Sequence, residues 1–207
     1  MALQQQSLQP HPEPVDVRLL QIAASHIKRV GIKRTTIVAI AAEAHMSHAN
    51  VYRYFPSKWA LFEALGDRWL KPVEASLRQI ADGPDPADDK LERLVVVLHR
   101  AYRDKIEAEP ELFAIFVDSV ANGRAGGRRH RGRLQQEIQQ VIEEGMASGV
   151  FFSGDQRRAM ALVFDALHRF VHPSAVWHDR EVPRAQMQTR LERVAGLVNR
   201  ALVGGLK

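Results

Sequence analysis

Residues 35–58, TTIVAIAAEAHMSHANVYRYFPSK, leave this chain little freedom of fold. Ile37, Ile40, Ala41 and Ala44 recur at helical spacing, and so do Val51 and Phe55. Only the short turn His45-Met46 separates the two stripes. Thr35 or Thr36 supplies a cap for the first helix and Ser47 a cap for the second, because a side-chain oxygen there accepts from an unpaired backbone N–H. Pro56 stops the second helix, and Ser57 caps a longer one that begins at Lys58.

The second short helix, about His48 to Phe55, carries small and polar groups on one side: His48, Ala49, Asn50 and Arg53. Val51 and Phe55 prop it from behind. A helix of this make is suited to lie in the major groove of DNA. Charge points the same way. The net charge is +5 at pH 7, and residues 16–72 hold nine Lys and Arg against four acids, whereas residues 73–207 are almost balanced. A basic footprint favours a polyanion through counterion release.

Elsewhere every periodic segment is helical. Val17, Leu20, Ala24, Ile27 and Val30 form a stripe that Gly31 ends. The helix from Lys58 is expected to reach Ile80, followed by a loop at ADGPDP, residues 81–86. Further helices are expected over 88–109, 111–121, 128–148, 155–171 and 183–202. The run NGRAGG at 122–127 is expected as a flexible connection, Gly149–Gly154 as a loop with Asp155 as the next cap, and Pro173 as a stop. No segment alternates with a period of two. The expected fold is therefore all-α with about nine helices. Residues 1–14, rich in Gln and Pro, are expected as a disordered arm.

An apolar content of 45% over 207 residues supports a globular core. The absence of cysteine excludes disulfides and thiolate metal sites and fits a cytoplasmic protein. No apolar run approaches the roughly 18 residues a membrane span needs. The N-terminus lacks a basic start followed by an apolar stretch, so no secretory signal is expected.

The run Thr35-Thr36-Ile37, then Ile40-Ala41, then Val51-Tyr52-Arg53-Tyr54-Phe55-Pro56-Ser57-Lys58, then Ala60-Leu61-Phe62, resembles the tetracycline-repressor-like (TetR) family of transcriptional regulators. The motif spans about Val17 to Leu65. The resemblance implies a helix-turn-helix DNA-binding domain over 15–62 and a helical ligand-binding and dimerisation domain over 63–207. It implies that His48, Ala49, Asn50 and Arg53 face base edges, and that Thr36, Tyr52, Tyr54 and Lys58 meet phosphates. Asn suits adenine and Arg suits guanine through paired hydrogen bonds. A homodimer on a near-palindromic double-stranded operator follows, released by a small-molecule effector. Two departures stand out: the turn holds His45 where relatives commonly hold glycine, and Val38 and Ala39 occupy positions often charged in relatives.

For the effector pocket, candidate residues are His99, Tyr102, Phe113, Phe116, Phe164, His168 and Trp177. For the dimer face, the two C-terminal helices offer Phe164, Leu167, Leu191, Val194, Leu197 and Val198. His168, His172 and His178 have a spacing that invites a divalent metal, but no acid completes the set, so no metal and no cofactor is expected. The alternatives are an all-helical enzyme and a helical module without DNA binding. Against catalysis, there is no nucleophile elbow, no phosphate-cradling glycine loop and no paired carboxylates.

Overall fold

A computed structural model describes residues 13–205. Residues 1–12, most of the expected arm, and residues 206–207 lie outside the described residues. Ten helices occur among the described residues: α1 (Val15–Val30), α2 (Ile37–Glu43), α3 (His48–Tyr54), α4 (Lys58–Ala81), α5 (Ala87–Ala108), α6 (Pro110–Ala121), α7 (Ala125–Ser148), α8 (Gln156–Val171), α9 (Pro173–His178) and α10 (Arg184–Gly204). No strand is present among them.

Helices α2, α3 and α4 are held at their starts by the side chains the sequence offers. Thr36 Oγ1 accepts from the Ala39 amide at 3.1 Å, Ser47 Oγ from Asn50 at 3.2 Å, and Ser57 Oγ from Ala60 at 3.0 Å. Each such cap contributes about 1 kcal/mol. Thr36, not Thr35, is the cap of α2. Thr35 is buried, and its hydroxyl donates to the Gly31 carbonyl at 2.9 Å, which ties off the end of α1.

The chain divides into two compact units between Leu61 and Phe62, and α4 begins in the first and runs into the second. In the first unit, Leu19, Ala23, Ile27, Ile37, Ile40, Ala41, Ala44, Val51 and Phe55 are buried. In the second, α5 is the central helix and packs against α6, α7, α8, α9 and α10. Its stripe of Leu91, Leu94, Val95, Leu98, Tyr102 and Ile106 lies in the core. Burying a side chain of this size contributes about 1.5–3 kcal/mol, so this stripe alone fixes which face of α5 turns inward.

Two expectations about connections change. The glycine run at 122–127 is not simply a loop: α7 starts at Ala125, and Gly126 and Gly127 are buried in its first turn. A Cβ on Gly127 would stand 2.9 Å from the Ser119 backbone. Glycine is there so that α6 and α7 can approach closely, and the Gly127 amide donates to Ser119 Oγ at 3.0 Å. Pro173 ends α8 but also opens α9, a six-residue helix missing from the expected set. Proline is tolerated at a first helical position because the N–H it lacks would have no intrahelical partner. Pro72 lies inside α4 without ending it.

Candidate functional site

The turn between α2 and α3 is built on His45, the one described non-glycine residue with a positive φ, at 53°. Its neighbours hold it there. The Met46 amide donates to the Ala41 carbonyl at 2.9 Å, and Arg18 on α1 donates to the Ala44 carbonyl at 3.3 Å. On the other side of α2, Glu43 accepts from His26 Nδ1 at 2.6 Å and pairs with Arg29. Hydrogen bonding from His26, aided by Arg29, holds the Glu43 carboxyl below the usual range. An acid at a helix C-terminus opposes the helix dipole, and these two partners compensate for it. Arg18 and Arg29, counted from sequence in the basic footprint, therefore serve the turn and the helix end.

On α3, Val51 is completely buried and Phe55, which caps the helix, is nearly so. At 3.6 residues per turn, Ala49 and Arg53 lie on the opposite side of the helix. Both are exposed, and Asn50 beside them is half-exposed. Tyr52 and Tyr54 fall on the two flanks and are 45% and 43% exposed. Aromatic hydroxyls left this open are hydrogen-bonding groups facing outward on either side of a polar ridge. His48 leans toward the Tyr52 flank, its ring meeting that of Tyr52 edge-on at 6.5 Å. Thr36, at the start of α2, is exposed, and its hydroxyl still has a proton to donate while its oxygen serves as cap. Lys58 opens α4 with Nζ donating to the Ile32 carbonyl at 3.1 Å. Val38, on α2, is 65% exposed.

The second unit contains a cavity of about 210 Å³. Of the residues proposed from sequence for a pocket, Tyr102, Phe164 and His168 line it. His99 lines a separate cleft of about 260 Å³ with Arg100, Arg103 and Arg184. Phe113, Phe116 and Trp177 line neither; Phe113 and Phe116 are buried, and Phe113 stacks on Trp177 at 5.9 Å. The sequence reading missed His130, Arg131 and Leu134 on α7, and His172 at the end of α8. His130 is the informative one. Its Nε2 meets the Tyr102 hydroxyl at 2.7 Å, and its Nδ1 meets Glu74 at 2.8 Å. Arg133 holds the other Glu74 oxygen at 2.6 Å. Burial alone would raise the Glu74 pKa, but the hydrogen bonds from His130 and Arg133 prevail and hold it below the usual range. His168 and His172 stack face to face at 4.5 Å. Among the described residues no three potential metal ligands gather, at these histidines or elsewhere.

Of the proposed dimer residues, Leu167, Leu191 and Val198 are buried within the chain's own core, so they present no open face. Leu197 is 58% exposed, and Val194 and Phe164 are half-buried. Among the described residues no helix is long and apolar enough to cross a membrane.

Comparison with known proteins follows the same division. Residues 19–65 match the family model described as bacterial regulatory proteins of the tetR family, and residues 87–195 match the tetracycline repressor-like C-terminal domain. The transcriptional repressor KstR2 of Rhodococcus jostii is 28% identical over 140 residues, covering 65% of this chain and 67% of that protein. Among solved structures, the repressor FadR of Thermus thermophilus, in complex with lauroyl-CoA, superposes with a TM-score of 0.62 at 17% identity, covering 93% of this chain and 95% of its own. PfmR, a regulator from the same organism, superposes with a TM-score of 0.56 at 20% identity, covering 92% and 99%. At these identities the structural matches speak for the fold alone.

Proposed function

The chain belongs to the tetracycline-repressor family of DNA-binding transcriptional regulators, and we propose that within it this protein is a dimeric, cytoplasmic repressor without catalytic activity, released from a near-palindromic operator by a small molecule. The observation that carries the proposal is the outward face of α3: Ala49, Asn50 and Arg53 form a ridge flanked by Tyr52 and Tyr54 and opposite the buried Val51 and Phe55. A helix in the major groove needs base-reading groups on its crest and phosphate-binding groups on its flanks. Arg53 and Asn50 suit guanine and adenine respectively, with His48 and Ala49 beside them. Thr36, Tyr52, Tyr54 and Lys58 hold phosphates. Residues 15–62 carry this work, and residues 63–207 carry ligand binding and dimerisation. The relative KstR2 is a transcriptional repressor, which supports the repressor reading.

A gel-shift titration against DNA upstream of the protein's own coding region tests the reading. Affinity falls steeply with salt as counterions are released. Arg53→Ala costs about 1–3 kcal/mol on the preferred sequence and relaxes base preference there. Lys58→Ala weakens binding to all sequences and lowers the salt slope by about one. Wild-type affinity and slope in both variants would refute the docking mode.

A further inference from the structure

The cleft of about 260 Å³ is lined by His99, Arg100 and Arg103 from α5 and by Arg184, Ala185 and Gln188 from α10. We propose that it binds a small organic dianion, a dicarboxylate or a phosphate ester. The site is separate from the 210 Å³ cavity and does not rest on the effector reading above. Charge is the first argument. Arg103 is 5% exposed, and a buried guanidinium is costly to leave without a counter-charge. Its Nη1 donates to the Asp179 carbonyl at 2.9 Å and its Nη2 to the Val182 carbonyl at 3.0 Å, while its buried Nε has no partner. The two carbonyls fix the group between α5 and the α9–α10 connection without neutralising it. Neighbouring carboxylates are committed elsewhere: Asp179 to Arg169 at 2.7 and 3.0 Å, and Glu107 and Asp104 to Arg184, each at 2.6 Å. Gln188 donates to Glu192 at 2.7 Å. No acid lines the cleft. Among the described residues, Arg100 and Arg103 pair with no carboxylate. Two positive charges thus stand unanswered at one opening, and a dianion answers both.

The second argument is a helix end. No side chain caps α10, and no acid lies in its first turn. Arg184 and Ala185, its first two residues, line the cleft. The unpaired N–H groups there carry the positive end of the helix dipole and favour an anion. His99 reports the same field. Desolvation by burial, and beyond it the charges of Arg103 and Arg184, push this ring below its ordinary 6.5, against the Phe170 carbonyl bond and the Asp179 charge that favour its proton. Volume and lining then limit the ligand. A cavity of about 150 Å³ holds benzene, so this cleft takes roughly ten heavy atoms, the size of succinate or glycerol phosphate. No Phe, Tyr or Trp lines it, so a nucleobase or a long acyl chain finds no surface there.

Succinate, glycerol phosphate, acetate and the uncharged succinamide are the probes, titrated into the full-length chain at constant ionic strength and read by calorimetry and thermal shift. At least one dianion raises the melting temperature with its occupancy and binds about tenfold or more tighter than acetate, through a second charge-assisted contact. Succinamide does not bind. The tighter of the two dianions assigns the site to dicarboxylates or to phosphate esters. Arg100→Ala, at an exposed position, lowers dianion affinity about tenfold and leaves the fold intact. Arg193→Ala, exposed further along α10, leaves affinity unchanged. Arg103→Gln abolishes binding. Should that variant fail to fold, Ala185→Glu decides: its carboxylate supplies the missing charge at the helix start, raises the melting temperature without ligand and removes the dianion's effect. Absence of dianion binding, acetate or succinamide binding as tightly, equal losses in Arg100→Ala and Arg193→Ala, or full dianion affinity in Ala185→Glu overturns the proposal. Each of these leaves the operator reading standing, which the gel shift tests by itself.

Discussion

His45 sits at φ 53°, where a Cβ crowds the following carbonyl. The strain costs on the order of 1 kcal/mol, and exposure of the side chain means that little packing is lost by replacing it. His45→Gly should therefore be neutral to stabilising by up to about 1 kcal/mol, and the β-branched His45→Val destabilising by about 1–2 kcal/mol, in urea melts. A variant His45→Val as stable as the parent would show that the turn relaxes to another conformation. The local chemistry of this unit was open to reading from sequence because its caps and stops act over three or four residues, as Ser47 and Ser57 do. The bonds around Tyr102 were not. Tyr102 and His130 are 28 residues apart, and His130 and Glu74 are 56 apart. No periodicity relates such positions, and only packing of three helices brings them together.

Between elements, glycine means two things that sequence alone does not separate. Gly127 lies where a Cβ would collide with the Ser119 backbone at 2.9 Å, whereas a Cβ on Gly132, further along the same helix, meets nothing within 4 Å. Neither has a positive φ. Gly127→Ala must push α6 and α7 apart and should cost about 1–3 kcal/mol, the range for overpacking. Gly132→Ala only removes backbone freedom from the unfolded chain and should stabilise by about 0.5–1 kcal/mol. Opposite signs in one denaturation series would verify the close approach; equal signs would refute it. Reading 122–127 as a flexible connection took both buried glycines for loop formers, because composition marks small residues without saying whether they bend the chain or let it pass closely. Helix α9 escaped for a similar reason: its first residue, Pro173, signals an end and a beginning alike.

At the scale of the molecule, acid should act in two steps. Desolvation by burial pushes His99 and His172 below their ordinary 6.5. A depressed folded value means the unfolded chain binds more protons, so the stability these groups permit is complete above 6.5 and is lost as pH falls below it. Glu74, held below 4.5, adds a second loss at lower pH, as its carboxylate is protonated below that value. Melting temperature against pH should therefore decline first just below 6.5, and His99→Asn should flatten that limb while leaving the lower one. A single decline confined to the range below 4.5 would remove the histidines from the account.

Assembly is the level at which a sequence stripe misleads most, because a helix packed on its own core and a helix packed on a second copy show the same period. Leu191, Val198 and Leu197 all belong to the stripe of α10, yet the first two are buried in the chain and only Leu197 stands open, at 58%. In a chain proposed to dimerise, we propose this exposed leucine on the C-terminal helix as a contact with the partner copy. Leu197→Asp should leave the helical circular dichroism largely intact, since the side chain is 58% exposed, and should shift the protein from dimer to monomer in sedimentation velocity. Operator affinity should fall with it. Two linked reading helices bind a palindrome more tightly than either alone by about 10²–10⁴, so the monomer should lose a factor of that order on the full operator and almost none on a half-site. A dimer that survives the aspartate would move the interface off Leu197; a monomer that still holds the full operator at wild-type affinity would mean that one reading helix suffices.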